Sequence, residues 1–234
     1  MLRSGHRPRR AAERPDTRAQ LLEAAGQVFA EEGLGRATGR AICDRAGANT
    51  AAINYYFGGM EGLYAAVLEV AHSRLFTLEM VAAAVAGKPD ARSRLEALLK
   101  LIVGTLLGPV STSCVLRVLT REIVSPSPAF EALRERELLP KVRILKAIVA
   151  DLMGLAEDHP SVARGCVSIM GPCIALAIAN RSVLRRAFPK AGFAAADTAS
   201  IVRHMTEFAV AGFAAVADAE ARHGREADRS RHHP

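Results

Sequence analysis

The sequence predicts an all-α protein of about nine helices, a three-helix N-terminal unit followed by a larger C-terminal helical bundle. Three observations lead there. Of the 234 residues 44 are Ala, which loses no side-chain entropy on entering a helix. Aromatic residues are only 5% and Trp is absent, which leaves few of the side chains that strands favour. No alternating apolar–polar run of useful strand length occurs, whereas apolar residues recur at helical spacing along most of the chain. Half of the residues are apolar, enough for a sizeable core and too many for wholesale disorder.

The first helix starts at Asp16 or Thr17, either of which can cap it, and carries Leu21, Leu22, Ala25, Val28 and Phe29 at helical period. Glu31-Glu32-Gly33 ends it, with Gly at the left-handed C-terminal position. Thr38 is the expected N-cap of a short helix, 39–46, that buries Ile42 and Ala46, and Gly47 supplies a tight turn. Asn49 is expected to cap a third helix, about 50–56, which buries Ile53 and lets Phe57 close the core. After Gly58-Gly59 a long helix is expected from Met60 to about Ala86. Gly87-Lys88-Pro89-Asp90 punctuates the chain, and amphipathic stretches follow at 91–107 and 113–124. Ser127 as N-cap with Pro128 at the first helical position suits a helix running to about Leu155. Another is expected from Pro160-Ser161 to Asn180, kinked at Gly171-Pro172, and a last one is capped by Asp197.

Charge and cysteines narrow the function classes. The formal net charge is +7, a weak pointer to a polyanionic partner. Most of it lies at the ends. Arg3, Arg7, Arg9, Arg10 and Arg14 face only Glu13 and Asp16, while Arg222, Arg225, Arg229 and Arg231 face only Glu226 and Asp228. Residues 1–15 and 222–234 therefore read as disordered tails, and the first, given a DNA-binding unit beside it, as a phosphate-seeking arm. Cys43, Cys114, Cys166 and Cys173 form no CxxC and have no paired His spacing, so neither a zinc knuckle nor a disulfide framework is indicated. Cys166 and Cys173 share a helical face and could sense oxidation; the alternative is a pair of small buried hydrophobes. No uninterrupted apolar run is longer than seven residues, the length of Cys173 to Ala179. A membrane span is not expected. No apolar segment follows the basic N-terminus, so no secretory signal is expected and the chain is placed in the cytoplasm.

The segment 38–57 reads as short helix, glycine turn, short helix, the size of a helix-turn-helix. Such a unit must bury a small core and leave one face of its second helix free for the major groove. Ile42, Ala46, Ile53 and Phe57 can form that core, leaving Asn49, Thr50, Asn54, Tyr55 and Tyr56 outside. Asn reads base edges, Tyr offers a hydroxyl to phosphate and a ring to thymine methyls, and Ala51 lets the backbone approach.

Thr17-Arg18 to Phe29, Ala41-Ile42-Cys43-Asp44-Arg45-Ala46-Gly47, Ala48-Asn49-Thr50-Ala51-Ala52-Ile53-Asn54-Tyr55-Tyr56-Phe57 and Glu61-Gly62-Leu63-Tyr64 resemble the TetR family of bacterial regulators over about residues 14–75. Arg121-Glu122-Ile123 with Ser125-Pro126-Ser127-Pro128-Ala129-Phe130 resembles the C-terminal domain of its CecR-like subgroup. The resemblance implies a homodimer that grips a palindromic double-stranded DNA operator and carries a ligand-binding and dimerisation domain, here residues 76–221 after a DNA-binding domain at 16–75. By position it implies base-facing roles for Asn49, Thr50, Ala51, Asn54 and Tyr55, and DNA contacts at Thr38, Arg40 and Tyr56. Three positions depart from the family pattern. Ala41 stands where an acid usually closes a capping box on Thr38, Met60 stands where Lys usually meets a phosphate, and Gly59 replaces a capping residue. From 17 to 74, five Arg face six acids, so the expected arm would have to supply the attraction to phosphate.

In the C-terminal part, the last helix carries an apolar stripe with small residues at Ala209 and Gly212, and 162–180 is apolar nearly all round. Together they suggest a dimer interface; packing within one subunit is the alternative. A pocket for a small-molecule inducer is expected near Leu116, Arg121 and Glu122, with Phe130, Met153 and Met170 as walls. The other reading makes Arg117 and Arg121 a solvated stripe and the methionines core filler. His72 and His204 are expected on the surface or satisfied in the core, with no metal site. No nucleophile elbow, phosphate loop, dinucleotide fingerprint or zinc-protease motif occurs, so neither enzyme activity nor a cofactor is expected. The sequence thus reads as a ligand-released repressor. Its alternatives are an activator or ligand-independent regulator of the same fold, or a helical scaffold whose DNA head has decayed.

Overall fold

A computed structural model describes residues 16–108 and 114–231, so the expected arm at 1–15 lies outside the described residues. Among those described there are twelve α-helical segments and no strand. The chain forms two compact units that divide between Val67 and Leu68.

The first unit contains α1 (Thr17–Glu32), α2 (Gly39–Ala46), α3 (Ala51–Phe57) and the first half of α4 (Met60–Leu75). Asp16 caps α1 by accepting the Arg18 N–H, and Thr38 caps α2 through Ala41 N at 3.2 Å. Leu21, Ala25, Val28 and Phe29 of α1 are buried together with Ile42 and Cys43 of α2, Ile53 of α3 and Leu63 of α4. Phe29 and Tyr64 meet edge to face, ring centroids 4.8 Å apart, the geometry that aromatic quadrupoles prefer. Phe57, expected to close this core, is only half-buried. The Arg18 guanidinium lies over its ring at 5.3 Å, so Phe57 is covered by a cation where the core would otherwise end. Ala46 is likewise only half-buried, and Cys43 takes the inner position.

The second unit holds α5 (Leu78–Val85), α6 (Ala91–Leu107), α7 (Cys114–Val124), α8 (Pro128–Leu133), α9 (Leu139–Met153), α10 (Pro160–Ile178), α11 (Arg181–Ala187) and α12 (Thr198–Arg231). Its core is built mainly from α6, α9, α10 and α12, with Leu95, Leu99, Val103, Ile148, Val149 and Val202 among the most deeply buried side chains.

Four expectations about its elements are corrected. The long helix expected over 60–86 breaks after Leu75, because the Thr77 hydroxyl caps a new helix through Met80 N at 3.1 Å; a Thr side chain offers the backbone an alternative to the helical ladder. The helix expected over 128–155 contains a π turn at Arg134–Leu138. Pro140 has no N–H for the carbonyl of Arg136, and just before it the Leu139 N–H reaches back five residues to the Arg134 carbonyl. A short helix, α11, follows Asn180, whose carboxamide oxygen caps it through Ser182 N and Val183 N. Finally, residues 222–231, expected as part of a disordered tail, continue α12, a 34-residue helix about 51 Å long at 1.5 Å per residue.

Helix α10 runs through Pro172; the carbonyl that loses its donor there belongs to exposed Ser168, which water can satisfy. By length and composition α10 could cross a membrane, with a mean hydropathy of 1.6. Its Val162, Cys166, Ile169 and Cys173 are buried in the core of the second unit, where that apolarity is used.

Candidate nucleic-acid interface

Helix α3 is short and its two faces differ sharply. Ile53 is 4% exposed and points into the core. Thr50, Ala51, Asn54 and Tyr55 are all exposed, and their one- and four-residue spacing puts them together on the opposite face. Tyr55 is 83% exposed and Tyr56 40%; their rings stack edge to face, centroids 4.9 Å apart. A seven-residue helix with one buried side chain has no structural use for two tyrosines held in water.

The ends of the helix are fixed locally. The Asn49 side-chain oxygen accepts the Ala51 N–H at 2.9 Å and the Thr50 hydroxyl at 3.4 Å, so Asn49 anchors the helix start while staying exposed. Gly47 and Gly58 both take left-handed backbone, φ 64° and 72°, a conformation that L side chains resist. Gly62 lies so close to α3 that a Cβ on it would overlap the Phe57 carbonyl. These constraints fix the path from α2 through α3 into α4.

Thr38 and Arg40 sit exposed at the start of α2. Arg40 is 3.8 Å from Asp44, a loose, solvated pair that a phosphate could replace. Arg45 pairs with Glu31 at 3.0 Å, and the Arg36 Nε donates to the Glu32 carbonyl. Met60 lies beside Gly39, its sulfur 3.7 Å from where a Cβ would stand, and so packs near the start of α2. Cys43 is buried and desolvation raises its thiol pKa, so it stays a thiol. Arg18 is a further cation of the region; it opens the first segment of the resemblance, but no role follows for it from the sequence. Its place over the Phe57 ring sets it beside the end of α3, and only the fold brings those two residues together.

The six residues expected around a ligand are distributed over α7, α8, α9 and α10. Leu116 and Met153 belong to the core, Met170 packs against it, and Phe130 is half-buried. Arg121 is exposed. Glu122 is 2% exposed and accepts the Ser127 N–H at 2.7 Å, a bond that fixes the α7–α8 turn. Of the six, Met153 alone lines the 530 Å³ groove that runs between α10 and α12, bounded also by Gly165, Ile169, Phe208, Gly212 and Phe213. Phe208 is 77% exposed at its edge and Val167, on α10, 71%. Among the described residues no group of three or more His, Cys, Asp or Glu is placed to hold a metal.

Comparison with known proteins covers both units. Residues 21–67 match the family described as bacterial regulatory proteins, tetR family. Residues 91–215 match the C-terminal domain of the HTH-type transcriptional dual regulator CecR. A curated relative, the CecR dual regulator of Shigella flexneri, is 27% identical over 175 residues, covering 71% of this chain and 78% of its own. Among solved structures, a tetR-family regulatory protein from Rhodococcus RHA1 has a TM-score of 0.62 at 21% identity, covering 84% of this chain and 96% of its own. The regulator FadR of Bacillus subtilis, solved in complex with stearoyl-CoA, has a TM-score of 0.58 at 17% identity, covering 80% and 97%.

Proposed function

This chain belongs to the TetR family of DNA-binding transcriptional regulators, with a C-terminal domain of the CecR type, and from that premise we propose that it is a homodimeric repressor released from a palindromic operator by a small molecule. The observation that carries the reading is the exposed face of α3, Thr50, Ala51, Asn54 and Tyr55, held outward by the burial of Ile53. In this reading those residues meet base edges and thymine methyls in the major groove. Asn49 reaches the same edges from the start of the helix, and Thr38, Arg40 and Tyr56 meet phosphates or backbone at the rim. Arg18 joins them. The arginines of residues 3–14 add the attraction that the acidic balance of the head withholds, and the protein works in the cytoplasm, where its operator is.

The dimer forms in this reading through α10 and α12, whose groove and exposed Phe208, Val167 and Ile178 would otherwise face water. A ligand releases DNA only by as much as it prefers the dimer geometry that does not fit the operator. Leu116, Arg121, Glu122, Phe130 and Met170 remain candidates for contacts to that ligand in the second unit, although none of them lines the groove that Met153 lines. A second reading follows from the name of the Shigella relative, a dual regulator: the same operator contacts could activate as well as repress.

Selection of bound sequences from a random DNA pool tests the proposal. An enriched pair of inverted half-sites spaced about one helical turn, roughly 10 base pairs, supports it. Enrichment of a single unpaired motif would overturn the dimeric reading, and no enrichment at all would leave a helical protein with a decayed head.

A further inference from the structure

The second unit contains a polar cluster that the operator reading does not use. The last turn of α4 presents His72 with its side chain 15% exposed. Its Nε2 lies 2.5 Å from the Lys141 Nζ on α9, and its Nδ1 lies 3.7 Å from a Glu137 carboxylate oxygen on the π turn. Arg136, on the same turn, is 3.5 Å from Glu137 and 2.9 Å from Glu69 of α4. Glu79 of α5 lies at the same cleft and acts on Lys141.

We propose that His72 is an acid-operated latch: neutral, it accepts a hydrogen bond from Lys141 and ties α4 to α9; protonated, it gives up Lys141 and pairs with Glu137. The chemistry follows from donors and acceptors. A lysine ammonium only donates, so the Nε2 it meets must be bare and the imidazole proton must sit on Nδ1, toward Glu137. A proton added to Nε2 sets two donors and two positive charges against each other at that contact. In a half-buried site their repulsion is poorly screened. The carboxylate on the other side of the ring then becomes the better partner.

Burial and the nearby Lys141 and Arg136 hold the His72 pKa below its ordinary 6.5, with Glu137 opposing them. Burial likewise lowers Lys141, while Glu137 and Glu79 raise it. The folded chain therefore takes up this proton later than the unfolded one. The stabilisation is fully present above the ordinary histidine range and is lost as pH falls below it. The place of the cluster gives the exchange a consequence. Glu137 is carried by a π turn, a costly geometry that recurs at functional positions. Helix α4 is a single helix from Met60 to Leu75, so its last turn is continuous with its first, which begins three residues after α3.

The regulatory consequence rests on the operator reading; the latch itself does not. The test uses the full chain with His72→Gln and Lys141→Met variants. In histidine Hε1 NMR titrations, the signal that disappears in His72→Gln titrates below the ordinary histidine value, and Lys141→Met moves it upward. Operator affinity of the unaltered chain changes on the order of tenfold between pH 7.5 and 5.5, the worth of one pKa unit. In His72→Gln, whose amide oxygen can still accept from Lys141, binding at pH 7.5 is retained and this dependence disappears. A His72 titration at the ordinary value and insensitive to Lys141→Met would overturn the latch, as would the same pH response in His72→Gln. Absence of operator binding at pH 7.5 would count against the operator reading alone, and the NMR titration still decides the latch.

Discussion

Tyr55 separates function from stability at the level of one side chain. It is 83% exposed and its ring meets that of Tyr56 on its own helix, so Tyr55→Ala should change unfolding free energy by no more than about 0.5 kcal/mol. It should nonetheless cost about 1–3 kcal/mol of operator affinity, measured by fluorescence anisotropy. Thr206 makes a different point. It is 2% exposed and its hydroxyl makes no hydrogen bond among the described residues. A buried hydroxyl without a partner carries its full desolvation cost, so Thr206→Val should raise stability by about 1 kcal/mol in denaturant titration. A drop in stability would mean that the hydroxyl has a partner in solution.

Among the elements, the junction of α3 and α4 is the most constrained. A Cβ at Gly62 would overlap the Phe57 carbonyl, a backbone atom that cannot swing aside as a flexible side chain could. Gly62→Ala should destabilise by about 1–3 kcal/mol in thermal unfolding and reduce operator binding even where the protein remains folded, because α3 must shift. The helix boundaries within 38–57 are legible in the sequence because what sets them is local: a Thr cap, two glycines with positive φ, and Ile42 and Ile53 at the right period; the half-burial of Phe57 is not, because Arg18 of α1 covers it. The exposure of Tyr55 is legible for a local reason too, since two adjacent tyrosines cannot both be buried on a short helix. Features set by a single competing group are not legible. Thr77 reads as one polar residue in a helical run, yet its hydroxyl starts a new helix and α4 ends before it. The shift before Pro140 reads as uninterrupted helix. At the end of α12, charge density suggests disorder, although Ala, Glu and Arg are good helix formers and the helix continues. Residue type along α7 does not show that Glu122 accepts the Ser127 N–H and fixes the α7–α8 turn.

For the molecule as a whole, the charges and the apolar groove make two linked demands. The head from 17 to 74 has five Arg against six acids, so in the proposed reading Arg18 and Arg40 act locally and the net attraction to DNA is supplied by the arginines of residues 3–14. Deleting residues 1–13 should weaken operator binding and flatten the slope of log affinity against log salt by about 0.9 for each phosphate that the arm neutralises. Unchanged binding across a salt series would exclude the arm. The groove between α10 and α12 asks for a partner surface. Phe208→Glu should give a monomer in sedimentation velocity, and with it abolish paired half-site binding, since a charge at a buried interface without a partner is costly. Whether the exposed face of α3 reads an operator is decided by a footprint on the DNA upstream of the protein's own gene, at physiological salt and beside Tyr55→Ala. A protected, roughly palindromic patch that disappears in the variant is expected. Equal protection by both proteins would contradict it, because binding would then not pass through the face of α3.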